Sequence, residues 1–106
     1  MIQSMNNQVP SLKDVDRLVH EPSRSIILAI LNVVPKADFL YLQRETNLTK
    51  GNLTIHLSKL EDAGYIQIEK TYLEKRPLTV CKITNKGRKA FQAYREQLKQ
   101  FIKGTD

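Results

Sequence analysis

The sequence predicts a mainly helical α+β fold, in which several helices precede one β-hairpin and a final helix. Apolar residues recur at helical spacing through most of residues 11–64, whereas two short segments within residues 65–84 alternate apolar and polar residues. A chain of 106 residues can bury one modest core, so residues 11–103 are expected to form a single domain. Residues 1–10 are polar and are expected to be a flexible N-terminus.

Composition excludes several classes of protein. With 41% hydrophobic and 26% charged residues the chain is typical of globular rather than disordered proteins. No apolar run approaches the ~20 residues that span a bilayer, and no signal peptide is visible at the N-terminus. The one cysteine, Cys81, cannot form an internal disulfide. We therefore expect a soluble, cytoplasmic protein without a membrane partner.

Catalytic and metal-binding motifs are not found in the sequence. It contains no glycine-rich phosphate loop, no Ser/His/Asp set in a supporting context and no metal-ligand spacing. His20, His56 and Cys81 are scattered along the chain. We therefore expect neither an enzyme nor a cofactor or metal. Cys81 is interpreted most simply as a small buried hydrophobic residue, with a redox switch as the alternative.

The first two helices follow from caps and prolines. Ser11 can cap a helix in which the apolar residues of Leu12–Val19 share one face. Pro22 suits the first turn of a second helix, which Pro35 ends. This second helix is apolar nearly all round, so it is expected to be the buried spine of the core.

Two short helices joined by a tight turn are predicted next. Residues 36–39 could pair with the edge of a sheet, and Leu40–Thr46 then form a helix whose start has no good capping residue. Asn47 tolerates the left-handed conformation that ends a helix. Thr49 caps the next helix, Lys50–Ala63.

The rest of the chain predicts a hairpin and a last helix. Tyr65–Thr71 and Leu78–Thr84 have the alternation of half-buried strands, and Tyr72–Pro77 form the loop between them. Thr84 can cap the final helix. The order of elements is that of a winged helix-turn-helix, with a three-helix core and a small antiparallel sheet.

Charge is distributed unevenly. Residues 1–64 contain seven Lys/Arg and seven Asp/Glu, whereas residues 65–106 contain ten and four, which gives a net charge of zero and of +6. Most of the excess lies between Lys70 and Lys89. A basic cluster next to a candidate recognition helix indicates a polyanion as partner. The alternative is an ordinary solvated basic surface.

The helix from Lys50 has one face for the core and one for DNA. On a wheel of ~100° per residue, Leu53, Leu57 and Leu60 share the core face. His56 lies at its margin and is interpreted as a partly buried packing residue. The candidate DNA-binding residues of this helix and its cap are Thr49, Lys50, Gly51, Asn52, Thr54, Ile55, Ser58 and Lys59. Such residues also occur on ordinary solvent-facing helix surfaces, which is the alternative.

Each type of side chain on the outer face suits a particular contact with DNA. Gly51 allows close approach to a phosphate or base, and Asn52 can donate to and accept from an adenine edge. Ile55 could touch a thymine methyl, and Lys59 a phosphate or guanine. In the hairpin, Lys75 and Arg76 are the candidates for backbone contact, and Arg76 could enter a minor groove. A solvated turn is the alternative for the hairpin.

Apolar residues on the terminal helices predict a dimer. The stripe on the last helix exceeds what one edge of a small core needs, so we expect it to pair with the first helix and with a second subunit. Packing of the last helix within one subunit is the alternative. The expected interface residues are Leu12, Val15, Val19, Phe91, Tyr94, Leu98, Phe101 and Ile102.

Two segments carry a resemblance to a known family. TNLTKGNLTIHLSKLEDAGYI (residues 46–66) and KRPLTVCKITNKGRKAF (residues 75–91) resemble winged-helix regulators of the MarR and ArsR type. Short, single-domain members with a His-x-Pro-x-Arg segment, here His20–Arg24, are the most similar. The resemblance covers about residues 12–102. Leu40 stands where many relatives have a small capping residue, and the Cys-x-Cys pair of ArsR-type metal sensors is missing.

The resemblance implies a homodimeric transcriptional regulator that binds double-stranded DNA, with N- and C-terminal helices for dimerisation. The family's base-reading positions correspond to Lys50, Asn52, Thr54 and Ile55, and its wing arginine to Arg76. The alternative is a winged helix that binds another protein and does not bind DNA. No set of residues specifies a small-molecule effector.

Overall fold

The fold is taken from a computed structural model, which describes residues 11–105. The flexible N-terminus expected for residues 1–10 lies outside this range. The mainly helical α+β fold and the predicted order of elements from the second helix onward are confirmed. The elements are α1 (Pro22–Val33), β1 (Ala37–Asp38), α2 (Phe39–Thr46), α3 (Lys50–Asp62), β2 (Ile66–Leu73), β3 (Arg76–Ile83) and α4 (Asn85–Gly104).

The helix predicted over Leu12–Val19 is not formed, and that prediction is wrong. This segment is a series of turns. Asp16 Oδ1 accepts hydrogen bonds from the backbone N–H groups of Leu18 (2.9 Å) and Val19 (3.3 Å). A carboxylate that binds the backbone in this way competes with helical hydrogen bonds, which is why the segment turns instead. Val15 and Val19 are nevertheless buried.

Helix α1 is buried on one side only, so the expectation of burial all round is wrong. Its first turn has Pro22 and an accepting side chain at Glu21, which binds the N–H of Arg24. Ile27, Leu28 and Leu31 are fully buried, but the exposed fraction is 46% for Ile26 and 80% for Val33. The core is too small to cover the whole circumference of this helix.

The helix-turn-helix follows the predicted boundaries closely, with one correction. Asp38 caps α2, because its Oδ1 accepts from the N–H of Tyr41 at 2.8 Å, so the start of this helix does have a capping residue. Asn47 ends α2 in the left-handed conformation with φ of 57°. Thr49 then caps α3, accepting from the N–H of Asn52 at 3.1 Å.

Three antiparallel strands form the sheet, in the order β1-β3-β2. Ala37 lies opposite Cys81, so the predicted pairing of residues 36–39 with a sheet edge is confirmed for the two residues of β1. Strands β2 and β3 pair as far as Leu73 and Arg76, so the predicted six-residue loop is a two-residue turn. Glu74 (φ 51°) and Lys75 (φ 69°) both have the left-handed conformation that a type I′ turn requires.

The outer part of the hairpin projects from the body of the protein. Every residue from 69 to 77 is exposed, and we call this segment the wing. Helix α4 runs antiparallel to α1, because Arg88 near its start contacts Asn32 and Tyr94 in its middle contacts His20. At ~1.5 Å per residue, the 20 residues of α4 extend well beyond the 12 of α1. No helix in the described range is both long and apolar enough to cross a membrane.

Candidate nucleic-acid interface

Within residues 11–105, nothing covers the outer face of α3. Leu53, Leu57 and Leu60 are buried and fix the inner face, as predicted. Each candidate DNA-binding residue of this helix and its cap is exposed, namely Thr49, Lys50, Gly51, Asn52, Thr54, Ile55, Ser58 and Lys59. The side chain of Ile55 is 54% exposed, so an apolar group is part of this surface. The structure therefore brings the predicted set together on one accessible surface.

Gly51 lies in the first turn of α3 with open space around it. A Cβ atom built at this position meets nothing within 4 Å. Packing within the protein therefore does not require glycine here. Glycine also disfavours a helix by about 0.5–1 kcal/mol relative to alanine, so the folded chain alone does not explain its presence.

Two hydroxyl groups of the predicted set are partly used within the protein. Thr49 caps α3 through its Oγ1, and Thr54 donates its Oγ1–H to the carbonyl oxygen of Lys50 at 2.8 Å. Thr54 therefore presents its methyl group and the remaining lone pair of its oxygen rather than a free donor. The side chains of Asn52 and Lys59 are exposed and extend the polar part of the surface.

The wing presents cations beside apolar side chains. Lys75 lies at the turn and Arg76 starts β3, and both are exposed, as are Tyr72 (73%) and Leu73 (61%). The apolar pair was not among the predicted site residues. The sequence placed both residues in the predicted hairpin loop, and their pairing with Pro77 and Arg76 outside the core is visible only in the structure.

A cleft of about 670 Å³ separates α3 from the wing. Its lining combines apolar side chains with two lysines and the acidic Glu61. It is lined among others by Phe39, Leu40, Lys50, Thr54, Lys70 and Leu78. Leu40, where many relatives have a small capping residue, is 68% exposed at its edge.

Ion pairs do not neutralise the predicted cations. Within residues 11–105, the pairs closer than 4.0 Å are Lys36–Glu69, with both side chains more than half exposed, and His56–Glu21. Neither pair includes a cation predicted to contact DNA. The charges of Lys50, Lys59, Lys75 and Arg76 remain available to an anionic partner.

By contrast, the start of α4 uses its charged and small residues internally. Arg88 donates to the carbonyl oxygen (3.0 Å) and the Oδ1 (2.8 Å) of Asn32, at the end of α1. Lys86 Nζ lies 5.7 Å from the ring centre of Tyr65. Gly87 packs so closely that an added Cβ would be 2.0 Å from the carbonyl oxygen of Tyr65. Part of the basic cluster between Lys70 and Lys89 is therefore structural.

A polar network that the sequence does not reveal joins α1 to α3. Arg24 is buried, with 8% of its surface exposed. Its Nε–H donates to the carbonyl oxygen of Leu18 at 2.6 Å, and its Nη1 lies 3.1 Å from Nδ1 of His56. His56, interpreted from sequence as a partly buried packing residue, is indeed partly buried but also makes this polar contact. The His-x-Pro-x-Arg segment contains Arg24, but its spacing does not reveal the partner.

Cys81 is fully buried on β3. Burial, with a smaller contribution from the charge of Glu61, raises the pKa of its thiol to about 11. The thiolate is the reactive form of cysteine, so this environment suits a packing residue rather than a redox switch. No group of three His, Cys, Asp or Glu side chains in the described part of the chain could hold a metal ion.

The residues predicted for a dimer interface divide into two sets. Val15, Val19, Phe91 and Tyr94 are buried within the described chain, and their assignment as interface residues stays a prediction. They pack in the core because α4 lies against α1 and the turns before it. Ile102 is 55% exposed, and the partly exposed members are Leu12, Leu98 and Phe101.

Comparison with known proteins identifies the family. Residues 24–102 match the winged helix DNA-binding domain family. An uncharacterized protein of Methanocaldococcus jannaschii is 42% identical over 80 residues, covering 76% of this chain and 87% of that protein.

Solved structures agree with this match. The transcriptional regulator homologue protein from Pyrococcus horikoshii superposes with a TM-score of 0.81 and 30% identity, over 99% of this chain and 96% of the other. The fold of the transcriptional regulator BldR from Sulfolobus solfataricus is similar, with a TM-score of 0.68 and 23% identity, over 98% of this chain and 70% of the other. The chain therefore belongs to the winged helix DNA-binding domain family, and its fold resembles the folds of transcriptional regulators.

Proposed function

We propose that this protein binds specific sequences of double-stranded DNA as a homodimer and thereby regulates transcription. In each subunit α3 enters the major groove, and the wing lies on the adjacent backbone or minor groove. The observation that carries the proposal is the uncovered outer face of α3, with a glycine that the fold does not need. A helix of 13 residues with such a face fits a groove ~12 Å wide.

Helix α3 and the wing make different contributions to DNA binding. The charges of Lys50 and Lys59 on α3 are offset by Glu61 and Asp62 at its end, so this helix contributes little net attraction. Its exposed Asn52 and Ile55 match the edge of adenine and the methyl of thymine. The wing carries Lys70, Lys75 and Arg76 beside Glu69 and Glu74, and its exposed cations supply contacts to phosphates, which position the protein without reading sequence.

The homodimer is supported by the end of α4. This helix projects beyond α1 and presents Leu98, Phe101 and Ile102, which residues 11–105 do not fully cover. Ile26 and Val33 add exposed apolar area on α1. A second copy related by a two-fold axis would bury such surfaces and would place two recognition helices on half-sites about one helical turn apart.

Selection of bound fragments from a random DNA pool tests the proposal directly. We expect one enriched motif with two inverted half-sites. Anisotropy titrations on that motif should show affinity that falls steeply with salt, because phosphate contacts release counterions. Sedimentation should show a dimer at micromolar concentration. Enrichment of no motif would contradict sequence-specific binding, and a 12 kDa species alone would contradict the dimer.

A second candidate function is protein binding through the wing. It is favoured by the exposed Tyr72 and Leu73, since aromatic residues are enriched at protein interfaces. Substitution of both by serine separates the two functions. Loss of DNA affinity would assign these residues to the DNA contact, whereas unchanged DNA affinity together with loss of a protein partner would support the second function.

A further inference from the structure

One buried cation contacts the recognition helix, α3, from the side of the core. Within residues 11–105, Arg24 is the buried charged residue. Its guanidinium contacts the Leu18 carbonyl oxygen at 2.6 Å and Nδ1 of His56 at 3.1 Å. The side chain thereby connects the turns before α1, the first turn of α1 and the middle of α3. Buried polar contacts of this kind define geometry, because they tolerate little displacement.

The contact specifies the form of the histidine. An arginine side chain can only donate hydrogen bonds, so Nδ1 of His56 must accept, and the proton of the neutral ring is then on Nε2. Glu21 completes the arrangement, because its Oε1 accepts from the N–H of Arg24 at 2.8 Å and lies 3.9 Å from Nδ1 of His56. Both Arg24 and Glu21 are at the start of α1, so these contacts fix the position of α3 relative to that end of α1.

The position of His56 on α3 links this contact to the DNA-facing surface. At ~100° per residue, His56 lies ~40° from Asn52 and ~60° from Lys59, at the border between the buried and exposed faces. The leucines of the inner face resist separation of α3 from the core but resist its rotation less. A rotation of about 20° would move the outer side chains by about 2 Å, given a helix radius of 5–6 Å. Hydrogen bonds to base edges do not survive such a shift.

We propose that Arg24 and His56 are positioning residues that fix the rotation of the recognition helix, and thereby the specificity of DNA binding. The inference rests on the proposed function. It assigns the arginine of the His-x-Pro-x-Arg segment a role behind the DNA surface, without any contact to DNA. The role depends on an acceptor at the Nδ1 position and not on the charge or the size of residue 56.

Two substitutions of one residue separate these requirements. His56→Asn keeps an acceptor near the Nδ1 position, whereas His56→Leu keeps an apolar side chain of similar volume and removes the acceptor. We expect His56→Leu to lower the ratio of specific to nonspecific DNA affinity about tenfold, the size of one lost base contact. His56→Asn should keep most of that ratio. Nonspecific affinity at low salt should stay the same in both variants.

A matched control separates positioning from loss of stability. Ser25 donates its Oγ–H to the carbonyl oxygen of Val19 at 2.5 Å, near the same end of α1, and makes no hydrogen bond to α3 within the described residues. Ser25→Ala therefore removes a neighbouring hydrogen bond and should leave the affinity ratio unchanged. Equal loss in Ser25→Ala and His56→Leu, or equal ratios in both His56 variants, would overturn the proposal.

Spectroscopy of the free protein tests the positioning without DNA. In ¹⁵N spectra, the neutral His56 ring should show the Nε2–H form. His56→Leu should shift the backbone amide signals along α3, and Ser25→Ala should not. An Nδ1–H ring, or unshifted α3 amides in His56→Leu, would overturn the proposal. A wild-type protein with no preferred DNA sequence would instead contradict the proposed function, so the two failures can be distinguished.

Discussion

The starts of α3 and α4 resemble each other in sequence but differ in use. Each begins with a capping threonine, has a glycine in the first turn and carries basic residues nearby. Thr49 accepts from the N–H of Asn52 at 3.1 Å, and Thr84 accepts from that of Gly87 at 3.0 Å. A Cβ added to Gly51 would meet open space, whereas one added to Gly87 would overlap the backbone of Tyr65.

This difference shows why a glycine or a cation needs its neighbours before it can be assigned a role. At the start of α4 the neighbours are β2 and α1, and the small residue and the arginine serve their packing. At the start of α3 no part of the described chain covers the surface. Similar local signals therefore support the fold in one place and leave a free binding surface in the other.

The largest expected effect comes from Gly87→Ala. The added methyl group would overlap the carbonyl oxygen of Tyr65, and backbone atoms on both sides leave little room for relaxation. We expect the free energy of unfolding to fall by about 3 kcal/mol or more. Urea denaturation followed by circular dichroism measures this change. A loss below 1 kcal/mol would show that α4 can move away from β2 at little cost.

In contrast to Gly87→Ala, Gly51→Ala should raise stability and lower the affinity for DNA. Alanine favours the helix, so stability should rise by up to about 0.5–1 kcal/mol, measured by the same urea denaturation. If DNA approaches the first turn of α3 closely, specific affinity should fall about tenfold, as for one lost base contact. Anisotropy titration on the selected motif measures it. Unchanged affinity would mean that the DNA surface begins further along α3, at Asn52 or beyond.

Arg76 and Arg88 extend the comparison to the cations. Arg76→Ala should reduce the salt slope of DNA binding by about one and leave thermal stability unchanged, because the side chain is exposed. Arg88→Ala should lower stability by about 1–3 kcal/mol, because it leaves the polar groups of Asn32 without their donor, and should keep the salt slope. Affinity measured at several salt concentrations and thermal melts distinguish the two. A reversed pattern would refute the division between free and structural cations.

Tyr65 gives the smallest expected effect. Its hydroxyl donates to Asp16, and this hydrogen bond with burial raises the pKa of Tyr65 from 10.0 to about 12. Tyr65→Phe should cost about 1 kcal/mol at neutral pH. The folded state favours the protonated phenol, so the stabilisation is complete below pH 10 and is lost as the pH rises to about 12.

Denaturation of the wild type and of Tyr65→Phe between pH 8 and about 12 measures this linkage. The two unfolding free energies should converge at the alkaline end of the range. A constant difference would show that the contribution of the hydroxyl does not depend on its protonation, and would contradict its hydrogen bond to Asp16 as the cause.

Much of the fold and of the candidate site could be predicted where local rules agree. Thr49, Asn47 and Thr84 have the cap or end positions that their side chains favour, and the spacing of Leu53, Leu57 and Leu60 identifies the buried face of α3. Once that face is known, the exposed set on α3 follows from helix geometry alone. These features depend on residues no more than a few positions apart.

Predictions from the sequence were wrong where the local sequence was compatible with two different structures. The apolar spacing of Leu12–Val19 suits a helix, but Asp16 binds the backbone and Tyr65, which is remote in sequence. Ile26 and Val33 are apolar, yet they point away from the core because α4 covers the other side of α1. Arg24 and His56 are 32 positions apart, and no periodicity connects them.

The sequence by itself therefore determined the order of most elements, the caps of the recognition helix and the face that this helix presents. These follow from backbone hydrogen bonding and from apolar spacing along one segment. Only the tertiary structure decided which glycine and which cations are free, because that depends on what lies across from them. Gly87 and Arg88 are held by Tyr65 and Asn32, whereas the described chain places nothing over Gly51.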